Sequence, residues 1–255
     1  MFIVFLAHLG RHAETEAAHL ASLLGVTEYE ARLTLAAPVP AIVAYATDRD
    51  QANAIASALR GRGHGAHVFD DERLVPSPRM NRLDDFRFEV DGVRRAADGE
   101  VLGFGDVFAI LRAVHDTVRQ SQRPAPSRAN QNLLDRMAPS VESLRLGTRH
   151  VDRESVAYFF RRSGERPWIL RERHASYAGL GEERGPVAFA NFTRTVARIA
   201  GACTNVIVDD RLSRRRVAER ATPGAPVRSS EEGVDLLAHL LAFTLAAQNG
   251  GSPYR

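Results

Sequence analysis

The chain opens on an unbroken apolar run, Phe2-Ile3-Val4-Phe5-Leu6-Ala7, which reads as a strand over residues 2–9. Ala17, Leu20, Leu23 and Leu24 then recur at helical spacing, and Gly25 supplies a stop. Thr27 followed by Glu30 is a capping box that opens a second helix, which Pro38 and Pro40 close. Ala41-Ile42-Val43-Ala44-Tyr45 predicts a buried strand. Asp48 caps a third helix carrying Ala52, Ile55, Ala56 and Leu59 on one face. Gly61, Gly63 and Gly65 end it, and Ala66-His67-Val68-Phe69 forms a last strand. Residues 1–75 therefore predict a small β-α-α-β-α-β sandwich.

From residue 84 the period changes. Phe86, Phe88 and Val90 alternate with Arg87 and Glu89, a half-buried strand, and turns follow at Asp91-Gly92 and Asp98-Gly99 around a strand at 101–104. Behind Asp106, Val107, Ile110, Leu111, Val114 and Val118 fall at helical spacing and predict a helix. Residues 119–135, rich in Arg, Gln, Ser, Pro and Asn, read as an exposed linker. Val156, Tyr158 and Phe160 alternate into a turn at Ser163-Gly164, from which 168–174 return antiparallel. A helix at 189–200, a strand at 205–208 and a flexible stretch at 221–228 follow. Ser229 and Glu232 form a second capping box, opening a terminal helix over 229–249. The expected class is α+β: the sandwich, a sheet-rich domain over 84–212, and a C-terminal helix.

Leu24-Gly25-Val26-Thr27, Glu30-Ala31-Arg32, Ala37-Pro38-Val39-Pro40 and the stretch from Asp50-Gln51-Ala52 to Gly65-Ala66-His67-Val68 resemble the C-terminal domain of the bacterial ribosomal stalk protein. The likeness covers about residues 20–70 and implies the fold. The stalk domain's Lys-rich binding helix has Thr27, Glu28, Tyr29 and Arg32 in its place here, so the activity is not implied. Residues 84–212 loosely resemble a bacterial pleckstrin-homology-like module, with Phe104-Gly105-Asp106-Val107 at its Trp/Phe-x-Asp-Ile turn. That resemblance implies a strand over 108–114, against the helical spacing.

Hydrophobic residues make up 44% and charged residues 25%, an ordinary globular balance. All 34 basic residues are Arg, which a GC-rich coding bias explains. Without Lys, a net charge of +3 suffices to push the pI to about 9.5. The distribution says more. Residues 1–118 carry 12 Arg against 17 acids, and residues 119–255 carry 22 against 14. Either the halves attract one another or the second meets an anionic partner. The lone Cys203 excludes an intrachain disulfide and fits a reducing compartment. The first residues lack a basic flank and cleavage site, and Asp235 and His239 interrupt the longest later apolar run. A cytoplasmic protein of bacterial type, without membrane insertion, is the expectation.

Candidate chemistry is sparse. His12, Glu16 and His19 share one helical face and could offer two imidazoles and a carboxylate to a metal, but a solvated face in a His-rich chain is the preferred account. No Gly-x-Ser-x-Gly frame, dinucleotide fingerprint or phosphate-cradling loop is present. Asp70-Asp71 and Asp209-Asp210 read as turn chemistry. Cys203 reads as an inert thiol, and Trp168 as core. Arg211, Arg214, Arg215, Arg216 and Arg220 form the densest cationic run and suit a polyanion. In the terminal helix Leu237, Leu240, Leu241 and Leu245 form a stripe broad enough for burial in the chain's own core or against a second copy in a homodimer. The leading expectation is a non-enzymatic protein-binding or regulatory protein without cofactor. An Arg-dependent binder of RNA, ribosome or another polyanion is the alternative, and an enzyme with a dispersed site the third.

Overall fold

The computed structural model of the chain describes residues 1–120, 149–214 and 229–249. Within them it is α+β, with six helices and three sheets. The first 70 residues follow the expected order: β1 (Phe2–His8), α1 (Ala13–Leu24), α2 (Glu28–Leu35), β2 (Ala41–Ala46), α3 (Arg49–Gly61) and β3 (Gly65–Asp70). The strands form an antiparallel sheet in the order β2-β1-β3. Local signals set the helix ends. The Thr27 hydroxyl accepts the Glu30 N–H while the Glu30 carboxylate accepts the Thr27 N–H, and Asp48 accepts the Gln51 N–H at 3.0 Å. Gly25, at φ 67°, ends α1 in the left-handed region. The three helices cover one face of the sheet, over Val4, Leu6, Val43 and Ala66.

The next strands are β4 (Asn81–Arg82), β5 (Phe86–Phe88), β6 (Gly92–Arg95), β7 (Val101–Gly103), β8 (Val107–Gln120), β9 (Arg149–Arg161) and β10 (Trp168–Arg171). Helix α4 (Ala188–Ala202), β11 (Ile207–Asp209), the single turn α5 (Arg211–Arg214) and α6 (Ser230–Gln248) complete the described chain. A five-stranded sheet runs β11-β8-β9-β10-β4, and β5-β6-β7 forms a separate three-stranded one. On one face of the large sheet Ile110, Phe159, Trp168 and Leu170 pack with Phe192, Val196 and Ile199 of α4 and with Phe86, Val93 and Leu102 of the small sheet.

The helix expected behind Asp106 is instead strand β8, paired with β9 from Val107↔Arg161 to Gln120↔Arg149. Both faces of β8 are covered, so apolar residues occupy consecutive positions and imitate a helical period. Ile110 faces α4, whereas Ala109, Leu111 and Ala113 face α6. Of the expected linker, Arg119 and Gln120 belong to β8, and its remaining residues lie outside the described ones.

Helix α6 lies between the first sheet and the five-stranded sheet. Val234, Leu237, Leu241 and Leu245 pack on Leu111, Val156, Tyr158 and their neighbours. Leu236 and Leu240 pack on Ile3, Phe5 and Phe69 of the first sheet, with Phe243 against the same cluster. The 1–75 sandwich thus leaves its second face to be closed by the last helix of the chain. Of the two fates expected for the stripe, the chain's own core is where it lies: Leu237, Leu240, Leu241 and Leu245 are at most 7% exposed. Two facing sheets require apolar side chains on both sides of the helix, which explains its breadth.

Candidate functional site

The densest cluster of polar side chains lies along α6 itself. Glu231, Asp235 and His239 recur every four residues and form the one polar stripe of this helix. Opposite them runs the connection from the first sheet to the second. The Asp235 carboxylate accepts the Ser77 N–H at 2.7 Å and the Ser77 hydroxyl, and it accepts the Tyr158 hydroxyl at 2.7 Å. His239 donates from Nε2 to the Val75 carbonyl at 3.1 Å. His115 Nε2 sits 2.7 Å from the Tyr158 oxygen. Tyr158 has one proton and gives it to Asp235, so His115 must donate from Nε2. Its Nδ1 then has no hydrogen-bond partner, lying 4.0 Å from Glu231 Oε1.

Burial and these bonds set the protonation states. Burial alone would raise Asp235, but His115, 3.6 Å away, and the bonds from Ser77 and Tyr158 hold its carboxyl below the usual range. Burial, reinforced by the Asp235 charge, lifts the Tyr158 phenol well above its ordinary value. Burial pushes His239 down to about 4, against the opposing pull of the Val75 carbonyl and Asp235. At neutral pH His239 is an uncharged imidazole. The cluster continues outward through Arg171, which reaches Glu231 at 3.3 Å and Glu154 at 2.6 Å. Glu154 then meets His174 Nδ1 at 2.8 Å, where the imidazole is half exposed. Ser77, His115, Tyr158 and Asp235 are themselves sealed, none more than 3% exposed. Their arrangement fixes the helix to the connection and to β8–β9.

A feature of a different kind lies at the surface of the described residues. A cleft of about 490 Å³ opens between the turn after β10 and the start of α4, lined by Glu172, Ser176, Tyr177, Arg184 and Asn191. Its walls are held from within. Tyr177 adopts φ 56°, rare for a bulky residue, and donates from its hydroxyl to the Glu172 carbonyl at 2.8 Å. Asn191 ties its amide to both the N–H and the carbonyl of Gly185 at 2.8 Å. Pro186 and Ala188 line the cleft, and the alternate residues Val187 and Phe189 are 57% and 51% exposed.

The structure disperses most of the residues singled out from the sequence. His12 is the exposed N-cap of α1 and His19 is half-buried. Glu16 turns inward instead, to Arg62 Nη2 at 3.0 Å and His64 Nε2 at 3.3 Å. The bonds from Arg62 and His64 outweigh burial and hold its carboxyl down at about 2. Among the described residues no three His, Cys, Asp or Glu side chains gather as a metal site. Arg211 pairs with Asp209 at 2.7 Å and Arg214 with Asp210 at 2.8 Å, so each Arg is neutralised within its own turn. Arg215, Arg216 and Arg220 lie outside the described residues. Burial pushes the Cys203 thiol up to about 11, despite nearby Arg162. It is therefore overwhelmingly protonated and a poor nucleophile at neutral pH. Trp168 is buried, with the Arg95 guanidinium 4.8 Å above its ring. Among the described residues no helix is long and apolar enough to cross a membrane.

No protein-family model, curated protein or solved structure matches this chain. Ser77, His115, Tyr158 and the cleft went unread in the sequence because their partners lie far apart along the chain. Ser77 and Asp235 are 158 residues apart. The four-residue spacing of Glu231, Asp235 and His239 inside an apolar helix was the available signal.

Proposed function

We propose that this chain is a non-enzymatic, cytoplasmic protein-binding protein, and that its partner docks at the cleft between the β10 turn and α4. The observation that carries this reading is the exposed pair Val187 and Phe189 on the segment that also lines the cleft beside Arg184. Aromatic residues and Arg are enriched in protein interfaces, and an aromatic anchor next to a polar depression is a frequent hot-spot arrangement. Tyr177 and Asn191 hold the walls in place, which lowers the ordering cost of docking. The alternative, polyanion binding through Arg211, Arg214, Arg215, Arg216 and Arg220, loses support from the ion pairs of its first two members.

A photo-crosslinking residue at position 189, in extract of the native host, tests the reading. It should give an adduct of defined mass that is lost on Arg184→Glu. The same residue at Tyr29, which is 67% exposed in another layer, should give none. No adduct at 189, or equal adducts at both positions, would refute the cleft. A log–log salt dependence of RNA retention with a slope of several units would favour the polyanion instead.

A further inference from the structure

The apolar sequence of α6 repeats every four residues: Leu236-Leu237-Ala238-His239, then Leu240-Leu241-Ala242-Phe243, then Thr244-Leu245-Ala246-Ala247. Four residues are about 6 Å of helix, close to one turn. Suppose α6 slid by that amount, so that each residue took the place of the one four positions before it. At the large sheet Leu241 would replace Leu237, Leu245 would replace Leu241, Ala242 would replace Ala238 and Ala246 would replace Ala242. Of the seven helix positions in that cluster, Leu237, Ala238, Leu241 and Ala242 would keep their residue type, and only the ends would change, with Ala238 for Val234 and Asn249 for Leu245, so the middle of that face carries no information about where the helix stops.

We infer that Asp235 sets the axial register of α6, and that a second register one turn away becomes populated when its carboxylate is removed. The slide would carry His239 into the place of Asp235. The Ser77 N–H and hydroxyl and the Tyr158 hydroxyl would lose their shared acceptor, all of them buried. Each stranded buried donor would forfeit its hydrogen bond with no water to replace it. Asp235 itself would arrive where Glu231 now sits, beside Arg171, so the displaced charge would find a partner there. The specific penalty comes from the group that Asp235 leaves behind. On the other face Phe243 assists, because its ring packs 6.1 Å from Phe5, 6.0 Å from Phe69 and 5.7 Å from His67. Asp235 is a positioning residue of the kind that specifies register in other buried helices, and one-turn shifts of one element past another are known transitions.

Two neighbours report the register directly. His239 now packs 5.1 Å from Phe160, and in the shifted register Phe243 would occupy that place. In wild-type protein, proton–proton NOEs should join the Phe243 ring to Phe5, His67 and Phe69 and not to Phe160. In Asp235→Leu and Asp235→Asn a second set, Phe243 to Phe160, should appear. Leu241→Ala should lower stability while retaining the single native set. Native NOEs alone in both Asp235 variants would overturn the inference. So would loss of fold in both, since the carboxylate would then hold the helix in rather than choose its place.

Discussion

Glu16 and Asp235 are both buried carboxylates, 2% and 1% exposed, and both lie below the usual carboxylate range. They reach that state differently. Glu16 faces a cation, Arg62, whose side chain is 31% exposed at the rim of the first layer. Asp235 is held by two hydroxyls and a backbone N–H, deep between two sheets. A pair at the rim keeps one foot in water and tolerates a misfit. A carboxylate held by neutral donors must have every donor in place, so it constrains position more tightly.

The largest effect that can break this comparison comes from the rim. Arg62→Ala leaves Glu16 buried with His64 as its close partner and should give the largest loss of stability among these variants, read by urea unfolding at pH 7. A loss no larger than that of Tyr158→Phe would show that water reaches Glu16 and that the two carboxylates are not alike in burial. Next comes acid. His239 binds its proton at about 4 in the folded chain against 6.5 when unfolded. Its contribution is present above pH 6.5 and is lost as pH falls toward 4, roughly 3 kcal/mol over that window. The losses from Glu16 and Asp235 follow at lower pH, below their unfolded values. His239→Gln should flatten the upper window and leave the lower one; an unchanged profile would remove His239 from the account. The smallest effect sharpens the interior case. Tyr158→Phe deletes one of the donors to Asp235 and leaves His115 Nε2 unaccepted, at about 1–2 kcal/mol by the same measurement. No change would mean that the phenol fills space only.

Much of the first layer was legible residue by residue. Thr27 with Glu30, Asp48 and Ser229 with Glu232 cap the helices where short-range chemistry places them, because a cap and its partner are three residues apart. The turns at Asp91-Gly92, Asp98-Gly99 and Ser163-Gly164 belong to the same class. The candidate site was hardly legible, since Ser77, His115, Tyr158 and Asp235 come from four separate segments. His12, Glu16 and His19 illustrate the converse: spacing placed them on one helix, but Arg62 and His64 drew Glu16 away.

What the sequence determined by itself is what depends on neighbours within a few positions. That covers the helix boundaries of the β-α-α-β-α-β unit, the alternating strands around residues 86–104 and 156–171, and a terminal helix apolar around most of its circumference. Tertiary structure decided what depends on the second face. Val107 to Ala113 became strand because covered faces on both sides erase the two-residue period. The terminal helix settled between two sheets of its own chain because there it takes Ile3, Phe5 and Phe69 on one side and Leu111, Val156 and Tyr158 on the other out of water together. Apolar burial is non-directional, so composition can demand that a helix be buried without naming its partner. The choice of place fell to a few polar groups whose partners only the folded chain brings together.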